Sequence, residues 1–441
     1  MFKFSDECAK SELDLFYVPP TNTSIESGVW VSCSPKVVSE KGNIEIECSG
    51  DDNYIDLSNI VLKVSAKIQK YDKSGAEVAL AENDVYGPVN NFMHSIFSQI
   101  EIKLNNTSIE NTNGLYPYRA YINTLLNYGS EAKKSFLQSS MYFKDEASRM
   151  ELININEGTK ESPVEVNKGF LERRKHIKNG MIEMFGHIHC DLFNSNRYLL
   201  NNIGIALTLT RSKPQFCLMT DGKAEYDVAI KGIQLAVRKV RVSSSVVNAH
   251  NMALERSLAY YPLKKTEVTY SVIAAGGANS KIKINSGSIP NRIVLGMVSN
   301  DAFNGNVGKN PYNFKHFNLK AMELKVKGVS LPYANTLKFD FNNKTYLNGY
   351  WSLFENIDLT DKGNYITRDD YSNGYTLFAF DLSPDLCSSD HFNLQQNGDI
   401  ELELDFSSAL TEAICLIQYY EYDNVMYINK YRKVEQFDPI V

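Results

Sequence analysis

"NFMHSIFSQIEIKLNNTSI", residues 91–109, has a second version later in the chain: "NFKHFNLKAMELKVKGVSL", residues 313–331. Laid together without a gap, at a constant offset of 222 (314 − 92), the two agree at six positions. These are Asn91/Asn313, Phe92/Phe314, His94/His316, Glu101/Glu323, Lys103/Lys325 and Ser108/Ser330. Five further positions exchange one apolar residue for another: Phe97/Leu319, Ile100/Met322, Ile102/Leu324, Leu104/Val326 and Ile109/Leu331. In both, apolar and charged residues alternate (Ile100, Ile102 and Leu104 against Glu101 and Lys103). That period of two marks a strand with one face in a core and one in water.

Other segments repeat in the same order. "NIEIECSG" (43–50), with Ile44, Ile46 and Cys48 on one face, is answered by "SKIKINSGS" (280–288). "NIVLKVS" (59–65) is answered by "RIVLGMV" (292–298), and "GIALTLTRS" (204–212) by "DIELELDFS" (399–407). "KGIQLA" (231–236) is matched by "CLIQYY" (415–420). "IHCDLF" (188–193) is matched by "FAFDLS" (378–383) through Asp191-Leu192 and Asp381-Leu382, which predicts a strand at each place. Collinear matches whose spacing varies only between strands indicate a tandem duplication of a β domain of about 200 residues. The expected fold is all-β: two tandem jelly-roll sandwiches, each with its own core and with short helices in connecting loops.

The expected boundaries are an extended N-terminal arm over 1–28, a first jelly roll over 29–242 and a linker with a short helix over 243–263. A second jelly roll over 264–430 and a tail over 431–441 complete the chain. The arm is polar and broken by Pro19-Pro20. "YRAYINTLLNYG" predicts a helix with Tyr118, Tyr121, Ile122, Leu125 and Leu126 on one face, closing at Gly129. "VNAHNMALERSLAYYP" (247–262) predicts another, stopped before Pro262. Stretches 130–180 and 299–312 are poor in strand signals and read as loops.

Composition narrows the function. A net charge of −6 disfavours a protein that coats nucleic acid, which needs many phosphate-neutralising cations. The chain of 441 residues is 43% hydrophobic and 22% charged, so it folds rather than remaining disordered. Seven scattered cysteines with no CxxC pair predict free thiols and a reducing compartment. No apolar run is long enough to span a membrane, and the first residues lack an apolar signal core. The sequons at Asn22, Asn105, Asn106 and Asn343 then carry no modification.

Few residues point to chemistry. His187 and His189 in "HIHC" fall on one side of an expected strand and are the candidate metal ligands; no third ligand accompanies them, so packing is the better reading. No catalytic signature or phosphate loop is present, and "GNVGKN" (305–310) reads as a turn. No cofactor and no enzymatic activity are expected. The basic runs "ERRKHIK" (172–178) and "VRKVRV" (237–242) supply Arg173, Arg174, Lys175, Arg238, Lys239 and Arg241. These are candidates for contact with nucleic acid or an acidic neighbour, against the plainer reading of a solvated face.

Several segments are more specific. "SELDLFYVPPTNTSIESGVWV" (11–31), "YIDLSNIVLKVSAKI" (54–68), "NNFMHSIFSQIEIKLN" (90–105), "YPYRAYINTLLNYG" (116–129) and "HIHCDLFNSNRYLLNNI" (187–203) resemble the hexon-type major capsid proteins of Polinton/Maverick elements and adintoviruses. The resemblance implies a double jelly roll, in agreement with the internal repeat. It also implies a homotrimer forming a pseudo-hexagonal capsomer that meets neighbouring capsomers and a penton-type minor capsid protein. Such capsomers tile an icosahedral shell around loosely held double-stranded DNA. The location implied is the virion, after assembly in the host cytoplasm or nucleus, and the chain's compactness implies short outer loops. The arm and the tail are then expected to order on assembly. The competing reading from the residues is a β-sandwich ligand- or receptor-binding module.

Overall fold

The computed structural model describes residues 4–6, 8–37, 42–158, 162–177, 179–331, 335–356, 363–386 and 391–436. The first half supplies β1 (Ile25–Cys33), β2 (Ile44–Cys48), β3 (Tyr54–Tyr71), β4 (Glu77–Val78), β5 (Tyr86–Pro88) and β6 (Phe97–Leu104). It continues with β7 (Thr107–Asn111), β8 (Met181–His187), β9 (Ile205–Arg211), β10 (Leu218–Thr220) and β11 (Glu225–Val242). The second half supplies β12 (Ala259–Ile273), β13 (Asn279–Ser288), β14 (Arg292–Ser299), β15 (Leu319–Val326) and β16 (Val329–Leu331). After these come β17 (Leu337–Lys338), β18 (Leu377–Asp381), β19 (Asn397–Phe406), β20 (Ile414–Ile428) and β21 (Val434–Gln436).

The same pairing order appears twice. One sheet of the first half runs β1-β11-β3, with β8 and β4 both on β3, and faces a sheet ordered β2-β9-β6-β7. The second half runs β12-β20-β14-β18 and faces β13-β19-β15-β16. Every ladder among these strands is antiparallel. In each half the sheets interleave the first and last strands of the unit, which is the double wrapping of a jelly roll. The alternating strands bury the faces that the sequence marked: Ile44, Ile46, Ile100, Ile102 and Leu104 are fully buried, as are Leu324, Ile400 and Leu402.

The repeat has a physical basis at residue level. The β6–β7 hairpin turns through Asn105 (φ 45°) and Asn106 (φ 67°), and its counterpart β15–β16 through Lys327 (φ 51°) and Gly328 (φ 79°). A two-residue hairpin of this hand needs positive φ at both positions, which Asn and Gly tolerate best. On the outer face the three repeated polar residues make one arrangement twice. Ser108 donates to Glu101 at 2.9 Å with Lys103 3.4 Å from that carboxylate; Ser330 donates to Glu323, again with Lys325 at 3.4 Å.

Four expectations need correction. Residues 188–193 are not a strand: β8 ends at His187, and a short 3-10 turn spans Leu192–Asn194. Val61 faces His187 while its repeat partner Val294 faces Ala379, so Asp191 corresponds to Ser383 rather than Asp381. Pro262 does not stop the linker helix, which spans Ser244–Leu254, but sits within β12. A proline fits there because β12 is an edge strand whose outward positions need no ladder hydrogen bond. Third, Cys33 and Cys48 form a disulfide, with Cα atoms 5.7 Å apart, joining the first strands of the two facing sheets; they are not free thiols. Cys8, Cys190, Cys217 and Cys415 are free, and Cys387 lies outside the described residues. Finally, the two sandwiches do not keep separate cores. One contiguous apolar cluster runs from Cys33 to Val434, because aromatic side chains bridge the halves.

The ends also enter the sheets. β1 begins at Ile25, within the segment expected as an arm, and β21 adds to β20, with Gln436 donating to the Ile109 carbonyl at 2.6 Å. Residues 8–24 lie outside every sheet and are exposed, including Leu13, Leu15, Phe16 and Val18.

Candidate functional site

The chemistry of this chain concentrates in a seam between the two jelly rolls. Its centre is the helix Tyr116–Asn127, which starts with proline in its first turn, where the missing N–H is no loss. Eleven of its residues are buried, an all-round burial that only a helix wedged between two bodies can have. Tyr118 packs against Phe303 and Tyr312, and Tyr121 stacks on Tyr312 with ring centroids 4.1 Å apart.

Between these aromatic residues lie buried ions. Arg119 pairs with Glu110 at 2.7 Å and with Asp191 at 2.9 Å, and donates to the Thr266 carbonyl at 3.3 Å. Asp191 accepts the Thr266 N–H at 2.6 Å and its hydroxyl at 2.8 Å, so both groups grip the same residue of β12. Burial opposes the charge of Arg119, but Asp191 and Glu110 overcome it and raise its pKa. Burial likewise pushes the Asp191 carboxyl up, against the pull of Arg119. The adjoining cleft measures about 80 Å³, room for a few waters and too little for a substrate.

A second ionic knot holds the insertion between β7 and β8. Arg173 and Asp145 pair at 2.8 Å with both side chains fully buried. Arg173 also donates to the carbonyls of Pro88 and Phe143, each at 2.9 Å. Asp145 accepts from Asn167 at 2.9 Å and from Asn310 of the second half at 3.1 Å. Asn167 also caps the helix Lys168–Lys175, accepting from the N–H groups of Gly169 and Phe170. A third contact is Lys133, which donates to the carbonyls of Leu125 (2.7 Å) and Asn364 (2.6 Å); burial, with Lys144 nearby, pulls its pKa down to about 7. Bridging groups of this kind fix one relative placement of two bodies, because each buried charge left without its partner costs several kcal/mol.

The residues singled out from sequence divide. Arg173 and Lys239 are interior: Lys239 pairs with Asp51 at 2.8 Å and donates to the Ser49 carbonyl at 2.9 Å. They are corrected from surface cations to structural ones. Arg174 donates to the carbonyls of Tyr86 and Glu82, with its guanidinium 4.7 Å above the Tyr86 ring. Lys175 is exposed beside Glu172, Arg241 beside Glu26, and Arg238 lies over Trp30, 4.0 Å from Asp56. No single basic strip results, since each cation has its own carboxylate, carbonyl or ring.

His187 and His189 do not share a strand face, because β8 ends between them. His187 is exposed, near the Ile60 carbonyl. His189 is buried edge-on against His94, ring centroids 4.6 Å apart, and burial holds it neutral with a pKa of about 3. His94 in turn meets the Tyr116 hydroxyl at 2.8 Å. Among the described residues no three metal-ligating side chains gather around either. The seam was missed in the sequence because its partners lie up to 231 residues apart (Lys133 and Asn364). The only local hint was charge inside otherwise apolar stretches, as at Arg119 in "YPYRAYINTLL".

This arrangement of two jelly rolls fused into one block defines the class by fold: a double jelly roll. Compared over 99% of this chain and 94% of the other, it superposes on a protein of the Sputnik virophage with a TM-score of 0.65 at 10% identity. The Faustovirus major capsid protein gives 0.55 at 10% identity over 93% of this chain and 92% of its own. In sequence, the chain is 25% identical over 429 residues to an uncharacterized protein of Caenorhabditis elegans, covering 92% of this chain and 96% of that one. No protein-family model matches. Among the described residues, no helix is long and apolar enough to cross a membrane.

Proposed function

We propose that this protein is a major capsid protein of the Polinton/Maverick and adintovirus type. Three copies associate into a pseudo-hexagonal capsomer, and capsomers tile an icosahedral shell around double-stranded DNA, with a penton-type minor protein at the vertices. The observation that carries this reading is the repeat of one sheet order in both halves, β1-β11-β3-β8 and β12-β20-β14-β18, within a single welded block. Two similar walls per chain allow a threefold object to present six similar sides. The titratable groups support a structural role rather than an enzymatic one: Arg119, Asp145, Arg173 and Asp191 hold the seam and face no substrate-sized cavity. The net charge of −6 suits a shell that grips its genome loosely. Assembly takes place inside the host cell, and the product is a virion component.

Light scattering on purified protein, followed by negative-stain imaging of the same peak, tests the reading. Particles of three times 49.9 kDa with a hexagonal outline are expected. A chain that remains a monomer across salt and pH overturns the shell-building role.

A further inference from the structure

An apolar groove of about 590 Å³ opens where the linker leaves the first jelly roll and enters the second. Ile25 and Val242, partners across β1 and β11, stand at one end of it. The linker helix Ser244–Leu254 contributes Val246, His250, Ala253 and Leu254, whose spacing of i, i+4, i+7 and i+8 makes one helical face. Of the eleven residues of this helix only Leu254 is buried. A helix so short is marginal in water by itself and takes its stability from packing, so the groove face lacks a cover. The groove is also one-sided in charge. Arg197 and His250 line it and no carboxylate does, while Arg432 acts on the hydroxyls of Tyr54 and Tyr261 beside them. Its complement is an apolar segment that carries negative charge.

The chain holds such a segment at the edge of the groove. In "SELDLFYVPP" (11–20), Leu13, Leu15, Phe16 and Val18 are exposed, Phe16 at 97%, and Glu12 and Asp14 alternate with the leucines. The arm is rooted in the groove itself: Ser24 lines it, and the Ser24 carbonyl accepts the Ser243 N–H at 2.9 Å, just ahead of the linker helix. The Asn22 side chain accepts the N–H and the hydroxyl of Ser24 at 3.0 and 2.5 Å, an Asx turn that bends the chain at this point. Six residues (24 − 18) separate Val18 from this root, an extended reach of about 20 Å.

We infer that the chain's own segment Glu12–Val18 folds back as a strap over this groove. Its apolar side chains lie on the Val246–Leu254 face, and its two carboxylates turn toward Arg197 and His250. The strap crosses the junction of the two jelly rolls and holds the linker helix down on it. This is a property of the single chain and does not depend on the trimeric reading above.

Amide hydrogen exchange on the full chain and on the Leu15→Asp/Phe16→Asp variant tests the strap, with circular dichroism as the folding control. Both substitutions fall on exposed side chains, so the fold itself is not at risk. Loss of the strap is expected to speed exchange in residues 244–254 by about tenfold, while core strands such as β9 keep their protection. In parallel, Phe16→Cys and Ala253→Cys are combined in a Cys8→Ser/Cys387→Ser background and oxidised, with Leu13→Cys as a second arm position. A reducible crosslink at the mass of one chain, 49.9 kDa, is expected, and each single cysteine gives none. Unchanged exchange leaves the groove to another occupant and overturns the inference. Crosslinks only between chains overturn it too, by giving the groove to the arm of a neighbouring copy, and so does the absence of a crosslink at both arm positions.

Discussion

The two jelly rolls share a sheet order but differ in where they place charge. The first half buries it: Asp56, Arg119, Lys133, Asp145, Arg173 and Lys239 are all interior. Beyond residue 259 the buried polar side chains among those described are uncharged, such as Ser299, Asn310, Asn364 and Gln418. The second half instead sets its charges on the outer face of β13, β19 and β15. There Lys281 meets Glu401 and Glu403, Lys283 meets Asp399, and Lys325 meets Glu403, at 2.9–3.1 Å. On the same face of the first half, the central strand β9 offers Ala206, Thr208 and Thr210, while Lys103 of β6 meets Glu101 of its own strand at 3.4 Å. One fold can therefore carry its ions as internal fasteners or as a solvated skin. Of the first half's buried ions, Arg119, Lys133, Asp145 and Arg173 belong to the long insertion between β7 and β8 and anchor it.

Three measurements sharpen this contrast. The largest effect belongs to Arg173→Met, which leaves Asp145 buried without its cation. Urea unfolding is expected to show a loss of about 3–5 kcal/mol, with partial recovery in the Arg173→Met/Asp145→Leu double variant. A double variant no better than the single would refute the view that an uncompensated charge is the cause.

Next comes Lys133. Its folded pKa is pulled down to about 7 from an ordinary 10.5, so between those values the unfolded chain binds more protons than the folded one. Stability therefore rises as the pH climbs through this window and is flat below it. Between pH 7 and pH 9 the rise is up to about 2.7 kcal/mol, at 1.36 kcal/mol per pH unit. Lys133→Met should abolish that rise, and an unchanged slope would rule Lys133 out as its source.

The smallest effect is expected on the outer ladder. Lys281→Ala should leave the urea midpoint unchanged at high salt and nearly so at low salt, because exposed pairs gain little from their attraction and are screened. A large, salt-insensitive loss would show that the second half also depends on its ions.

Much of the architecture was legible beforehand in particular residues. The alternation around Ile100 and Ile102, with its echo at Met322 and Leu324, named a strand and its buried face. The Glu101–Ser108 pair returns as Glu323–Ser330, with the same hydrogen bond in both copies. Reading failed wherever the deciding partner was distant. Asp191-Leu192 resembled Asp381-Leu382 by composition, yet strand pairing sets them two residues apart. Arg173 looked like one cation in a surface run, because nothing beside it in the chain reveals Asp145 or the carbonyls of Pro88 and Phe143. Cys33 and Cys48 gave no pairing signal, since their closeness comes from the packing of one sheet on the other.

By itself the sequence determined the strand periods and the tandem repeat, both of which depend on near neighbours and steric rules. Only the tertiary structure decided which cations are interior and how the two cores merge. It also decided which edge strand the other jelly roll grips, as Asp191 does at Thr266 of β12. Those outcomes rest on contacts between segments hundreds of residues apart, where burial and charge pairing act through space and leave no period along the chain.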